Sequence, residues 1–118
     1  MNPSEPIQSC PVESTIDAIG GKYKPLILFY LLEDQVLRFG ELHRKIPHAT
    51  RRMLTKHLRE LEADGLLHRE VYQQVPPKVE YSLTHLGLSL KPVMEAMLAW
   101  GLFYTREKES LHKEEVAS

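Results

Sequence analysis

Apolar positions recur at helical spacing along most of the chain, and turn residues punctuate them. In "SCPVESTIDAIGGK", Pro11 suits the first helical position, which puts Cys10 at the N-cap and Glu13 at capping-box spacing; Gly20 and Gly21 end that helix. "PLILFYLLED" carries an unbroken apolar run from Leu26 to Leu32 that pattern alone would allow as a buried strand; Pro25 and the acidic exit favour a buried helix. Phe39, Leu42 and Ile46 lie at helical spacing in "FGELHRKIP", and Pro47 stops this short element.

A sharper pattern follows in "HATRRMLTKHLRELEADG". Thr50 is a good N-cap and Gly65 a good stop, so a helix is expected from about Arg51 to Asp64. At roughly 100° per residue, Leu54, Leu58 and Leu61 share one stripe, while Arg52, Thr55, Lys56 and Arg59 share the opposite face and Arg51 its flank. "LLHREVYQQVPPKVEYSL" then reads as a hairpin, with strands over Leu67 to Val75 and Lys78 to Leu83 closed around Pro76 and Pro77. Its tip offers Gln73, Gln74 and Lys78, as contacts to nucleic acid or as a plain solvated turn.

Beyond Thr84, a plausible N-cap, Leu86, Leu90, Val93, Met94, Met97 and Leu98 form a broad apolar stripe to which Trp100 and Tyr104 add aromatic bulk. Pro92 either kinks this helix or separates two shorter ones. So much apolar surface on a small domain points to a partner subunit, with packing inside the chain as the alternative. The pattern gives a mainly α fold with a small β-hairpin wing. It is organised as an N-terminal arm (1–9), one domain (10–105) and a polar tail (106–118) expected to fray.

Composition supports this reading. With 118 residues, 42% hydrophobic and 26% charged, the chain has the size of one domain that buries a core without staples. No uninterrupted apolar run approaches the roughly 18 to 20 residues of a bilayer span, and "MNPSEPIQSCPVES" lacks the pattern of a secretion signal, so a cytoplasmic location is expected. A lone Cys10 excludes an internal disulfide.

Charge is where the picture changes. Between Arg38 and Arg59 stand seven basic residues and one acid, Glu41, giving +6 in a chain of formal net charge −1. On the leucine-striped helix the bases gather at the N-terminal half, and Glu60, Glu62 and Asp64 gather at the far end. The helix dipole favours the reverse, at a few tenths of a kcal/mol per charge, so something other than helix stability selects this order. Two helices joined by a tight turn, the second with a basic N-terminal half, is the arrangement that enters the major groove of DNA. The competing reading is an interaction module whose basic face docks an acidic protein. Other chemistry is unsupported: the histidines (43, 48, 57, 68, 85 and 112) show no metal-ligand spacing, and there is no phosphate-cradling glycine loop and no nucleophile elbow. No enzyme activity, metal or cofactor is expected.

The segments "CPVESTIDAIGGKYKPLILFYLL", "RFGELHRKIP", "MLTKHLRELEADGLLHREVYQQVPPKVEYSLT" and "LGLSLKPVMEAMLAWG" together resemble the HxlR family of winged helix-turn-helix transcriptional regulators, which are MarR-like. The resemblance spans about Cys10 to Gly101. It implies a homodimeric, sequence-specific DNA binder without catalytic activity in a bacterial or archaeal cytoplasm. On that analogy Thr50 to Arg59 is the recognition helix and Gln73 to Lys78 the wing, with Arg38, Thr50, Arg51, Arg52, Thr55, Lys56, Arg59, Gln73, Gln74 and Lys78 as the DNA contacts. The dimer interface falls to Leu90, Val93, Met94, Met97, Leu98, Trp100 and Tyr104. The expected partner is a double-stranded DNA operator, an inverted repeat if the dimer is two-fold.

This chain departs from the family pattern at Tyr23, where tryptophan usually follows "GGK", at His48, where the turn often has glycine, and in "TRRMLTKH", whose two arginines replace a shorter polar pair. Arg52 therefore either pairs with a guanine or holds a phosphate. A thiol at a helix N-cap meets unpaired amides and the positive dipole end, which stabilise thiolate. Some relatives use a cysteine in this position to sense electrophiles or oxidants. Cys10 is thus either such a redox sensor or a structural residue.

Overall fold

The computed structural model describes residues 10–117, so the expected arm over 1–9 lies outside the described residues. Nine elements follow in order: α1 (Pro11–Ile19), α2 (Lys24–Asp34), β1 (Val36–Leu37), α3 (Phe39–Lys45), α4 (Arg51–Ala63), β2 (Leu67–Tyr72), β3 (Lys78–Leu83), α5 (His85–Leu88) and α6 (Lys91–Ala117). The chain divides into two units, one up to Leu88 and one from Ser89, where the sequence reads one domain over 10–105.

In the first unit, helices and a three-stranded antiparallel sheet of order β1-β3-β2 make a winged helix-turn-helix. Its core is aliphatic: Ile27, Leu28 and Leu31 of α2, Leu42 and Ile46 of α3 and its exit, and Leu54, Leu58 and Leu61 of α4 are all inaccessible to water or nearly so. The apolar run of α2 is a helix, opened by Pro25 in its first turn. The turn into β1 places Gln35 at φ 67°, a left-handed conformation uncommon for a residue other than glycine. His48 has no such φ, so histidine at the α3–α4 turn carries none of the strain a left-handed conformation would impose.

Turn chemistry closes α4 as expected. The Thr50 hydroxyl accepts from the Met53 amide at 3.1 Å, and Gly65 takes φ +78° just beyond the helix. The chain then enters β2, which pairs with β3 from Leu67↔Leu83 to Tyr72↔Lys78. That register ends β2 at Tyr72 instead of the expected Val75, because β3 begins at Lys78 and offers no further partner. β1 pairs Val36↔Ser82 and Leu37↔Tyr81, a strand the sequence reading lacks. Thr84 ties the hairpin to α5, accepting from the Gly87 amide at 3.0 Å and donating to the Gly65 carbonyl. A side chain at Gly87 would collide with the Leu66 carbonyl.

The second unit is α6. Pro92 lies in its first turn, so proline separates α5 from α6 and does not kink one helix. The stretch expected to fray continues as helix through Ala117, where α6 propagates from an established start rather than nucleating anew. By length and composition His85–Val116 passes as a possible membrane span, with an 18-residue window of mean hydropathy 1.2. Charges such as Lys91 and Glu95 break the apolar run, so the sequence shows no uninterrupted span there.

Leu58, 2% exposed, anchors α4 from its centre. Leu58→Ala is expected to destabilise the protein by about 2 to 5 kcal/mol, read as a lowered urea midpoint with an unchanged slope.

Candidate nucleic-acid interface

Helix α4 places its basic residues by the same periodicity that buries its leucines. Arg51, Arg52, Lys56 and Arg59 are exposed, and Thr55 is half-buried on their flank. Together with Thr50, Met53 and Glu60 they line one open surface along the helix. Among the described residues none of these four bases forms an ion pair. Arg51 instead lies over the Phe39 ring of α3, 4.7 Å from its centroid. Thr55 donates its hydroxyl to the Arg51 carbonyl at 2.8 Å.

Two of the three acids at the far end of α4, Glu60 and Glu62, are engaged by other elements. Glu60 accepts from Lys24 of α2 at 3.0 Å, and the Lys24 ammonium is itself buried. Glu62 pairs with Arg69 of β2 at 3.6 Å. The bases thus remain open while these two acids of the same helix are held by the scaffold.

Other predicted contacts sit apart from this face. Arg38 caps α3, its amide donating to Glu41 at 2.9 Å, and lines a separate recess with Arg44 and Glu80 but no residue of α4. Gln73 and Gln74 are exposed at the hairpin tip. Lys78 is turned back onto the wing, 3.4 Å from Glu80 and 4.8 Å above the Tyr72 ring. In α6, Val93, Met97, Leu98, Trp100 and Tyr104 are exposed, Leu90 just before it is half-buried, and Met94 is buried. Trp100 and Tyr104 stack with centroids 5.0 Å apart. Leu102, Phe103 and Leu111 are exposed as well, apolar positions outside the expected stripe. Cys10 is the exposed N-cap of α1, but its side chain makes no capping bond, and the expected capping box is absent.

The turn that sets the angle of α4 is tied at several points. The buried Tyr23 donates its hydroxyl to the His48 carbonyl at 3.3 Å, and His43 Nε2 donates to the Ala49 carbonyl at 2.9 Å.

A basic helix braced by a second helix and flanked by a hairpin is the layout of a winged DNA reader, and the HxlR-like helix-turn-helix description matches residues 18–109. The chain belongs to this family. The HTH-type transcriptional regulator YdeP of Bacillus subtilis is 51% identical over 114 residues, covering 97% of this chain and 86% of that protein. Among solved structures, the redox regulator HypR in its reduced form superposes with a TM-score of 0.81 at 52% identity, covering 86% of this chain and 99% of that one. Its oxidized form gives 0.75 at 56% identity, covering 78% and 94%. Like its HxlR-like relatives, the chain is a DNA-binding transcriptional regulator and not an enzyme.

Behind the basic face, His57 packs 6.1 Å from the Tyr23 ring. Burial holds its imidazole below the ordinary pKa near 6.5, opposed by Glu60 and aided by Lys24 and Lys56. Hydrogen bonding to Lys24 holds Glu60 below the ordinary carboxylate value. The folded protein thus favours neutral His57, and the stability this gives is present above pH 6.5 and lost as pH falls toward the lower folded value. Urea unfolding at about pH 7.5 and about pH 5.5 is expected to show a smaller acid loss in His57→Gln than in the wild type.

Proposed function

We propose that this regulator binds a specific DNA operator as a homodimer, with Arg52, Lys56 and Arg59 of α4 entering the major groove and Thr50, Arg51 and Thr55 beside them. The observation that carries this reading is the open row of cations, without an ion pair among the described residues, opposite a wholly buried leucine stripe. Duplex phosphates and base edges supply the anions and acceptors that such a row lacks. Arg38, Gln73 and Gln74 serve as outlying contacts, and Lys78 acts from the tip end of the wing, where β3 begins. The exposed apolar side chains of α6, Val93, Met97, Leu98, Trp100 and Tyr104, with half-buried Leu90 just before the helix, support association with a second copy. A two-fold dimer calls for half-sites about one helical turn apart. Its place of action is the cytoplasm, where the genome of such a cell lies.

Selection of bound duplexes from a random pool tests this directly, with an inverted repeat as the expected product. If about six phosphates are neutralised, log affinity falls against log salt with a slope of about −5. Arg52→Ala is expected to cost about 1 to 3 kcal/mol on the selected site and to relax preference at one base pair. A uniform loss on every duplex would assign Arg52 to phosphate. Absence of duplex binding at low salt would favour an acidic protein partner instead.

The same regulator is proposed to be switched through Cys10. The thiol is exposed, and HypR, to which the chain is similar, is described as a redox regulator and solved in both redox forms. Hypochlorite would accept two electrons from a pair of Cys10 thiols, leaving a disulfide between subunits, chloride and water. DNA affinity is expected to change on oxidation in the wild type and to stay constant in Cys10→Ser. An identical response in both proteins would remove the thiol from the switch.

A further inference from the structure

On the flank of α4 that meets the sheet, Thr55, Leu58, Arg59, Glu62, Arg69 and Tyr81 surround a recess of about 260 Å³. Two of these residues come from neighbouring strands: Arg69 of β2 and Tyr81 of β3 stand directly opposite each other in the antiparallel register. Directly opposed residues project from the same face of a sheet. The third donor, Arg59, comes from the basic face of α4 and lines both surfaces, so the recess is continuous with that face.

Each donor is left with capacity to spare. Glu62 reaches only Nε of Arg69, at 3.6 Å, and among the described residues no partner engages the two terminal amino groups. That contact leaves the fork of the guanidinium unconsumed. Arg59 has no ion pair, and the Tyr81 hydroxyl has no hydrogen-bond partner among the described residues. Burial raises the Tyr81 phenol above its ordinary pKa, with Arg69 and Arg59 opposing and Glu62 reinforcing. At neutral pH it is therefore an O–H donor. Two guanidiniums against one carboxylate leave a net +1 around a small space lined by convergent donors.

We infer that Arg59, Arg69 and Tyr81 form a seat for one backbone phosphate of the bound duplex. This rests on the DNA-binding reading above and extends it to two residues of the sheet. A phosphodiester carries a single negative charge, which matches the net charge of the recess. Its oxygens suit the guanidinium fork. The occupant is a duplex phosphate because the recess opens beside the helix face proposed to lie in the major groove, and a DNA backbone borders that groove.

Methylphosphonate scanning of the selected operator tests the assignment. For the wild type, neutralising one phosphate in each half-site is expected to weaken binding roughly tenfold. Arg69→Gln is expected to lose a similar factor on unmodified DNA and to reduce the salt slope by about two for a dimer. It should no longer respond to the methylphosphonate at that position, and Tyr81→Phe should respond less than the wild type. Arg69→Lys, which keeps the charge but not the fork, should recover the salt slope with part of the affinity. Should Arg69→Gln fail to fold, Tyr81→Phe and Arg69→Lys carry the same comparison. If these variants keep wild-type affinity and full sensitivity at every phosphate while Arg52→Ala still weakens binding, the seat is overturned and the DNA reading stands. If the wild type binds no duplex, that reading falls and takes the seat with it. Occupation of the recess by inorganic phosphate without loss of duplex affinity would assign it to a free oxyanion and overturn the duplex assignment.

Discussion

Burial of Leu54, Leu58 and Leu61 along one side of α4 is the constraint on which the rest of the first unit depends. With 13 residues and a repeat near 3.6, fixing those three leucines fixes the azimuth of every other side chain on the helix. Arg52, Lys56 and Arg59 therefore point outward as a consequence of core packing. Rotating them away would require exposing leucines that are at most 2% accessible, at roughly 1.5 to 3 kcal/mol each. The basic face is held in place by the hydrophobic effect, not by interactions of its own.

Electrostatics adds a second layer. A helix with bases at its N-terminal half and acids at its end is mildly unfavourable by its dipole. In isolation its acids would also reach back to its bases across one turn. The scaffold intercepts them: Lys24 takes Glu60 and Arg69 takes Glu62, each from another element. The exposed pair contributes little to stability, but both pairings leave Arg52, Lys56 and Arg59 without an intramolecular counterion among the described residues. A cation that keeps no carboxylate at home surrenders little when it meets a phosphate.

What the sequence made legible was whatever local chemistry encodes. Thr50 and Gly65 bracket α4, Pro11 and Pro25 open α1 and α2, and alternation marks the hairpin, so these elements emerge from periodicity and caps. The two-residue β1 does not, because nothing in Val36 and Leu37 says they will meet Tyr81 and Ser82 more than forty positions away. The positive φ at Gln35 is equally silent, since the tertiary turn imposes it on a residue with no preference for it. The basic face of α4 is one helix and was legible from its spacing. The recess shared by Arg59, Arg69 and Tyr81 depends on strand register and on the angle between α4 and the sheet, and no linear pattern carries either. Lys78 illustrates the converse: a cation at the hairpin tip by sequence, it folds back onto Tyr72 and Glu80 once the strands pair.

The angle of α4 has its own determinants. Tyr23, at the N-cap of α2, joins that helix to the α3–α4 turn, its phenol hydroxyl donating to the His48 carbonyl. His43 secures the next peptide group of the same turn at Ala49, and Thr50 satisfies an amide in the first turn of α4. Three successive residues, His48 to Thr50, are thus each pinned by a polar contact, and Ala49 is buried besides. Such a turn has few alternative conformations to lose on binding. Helix α4 thus has its orientation set without a partner, and the cost of ordering that limits affinity in flexible readers is borne during folding.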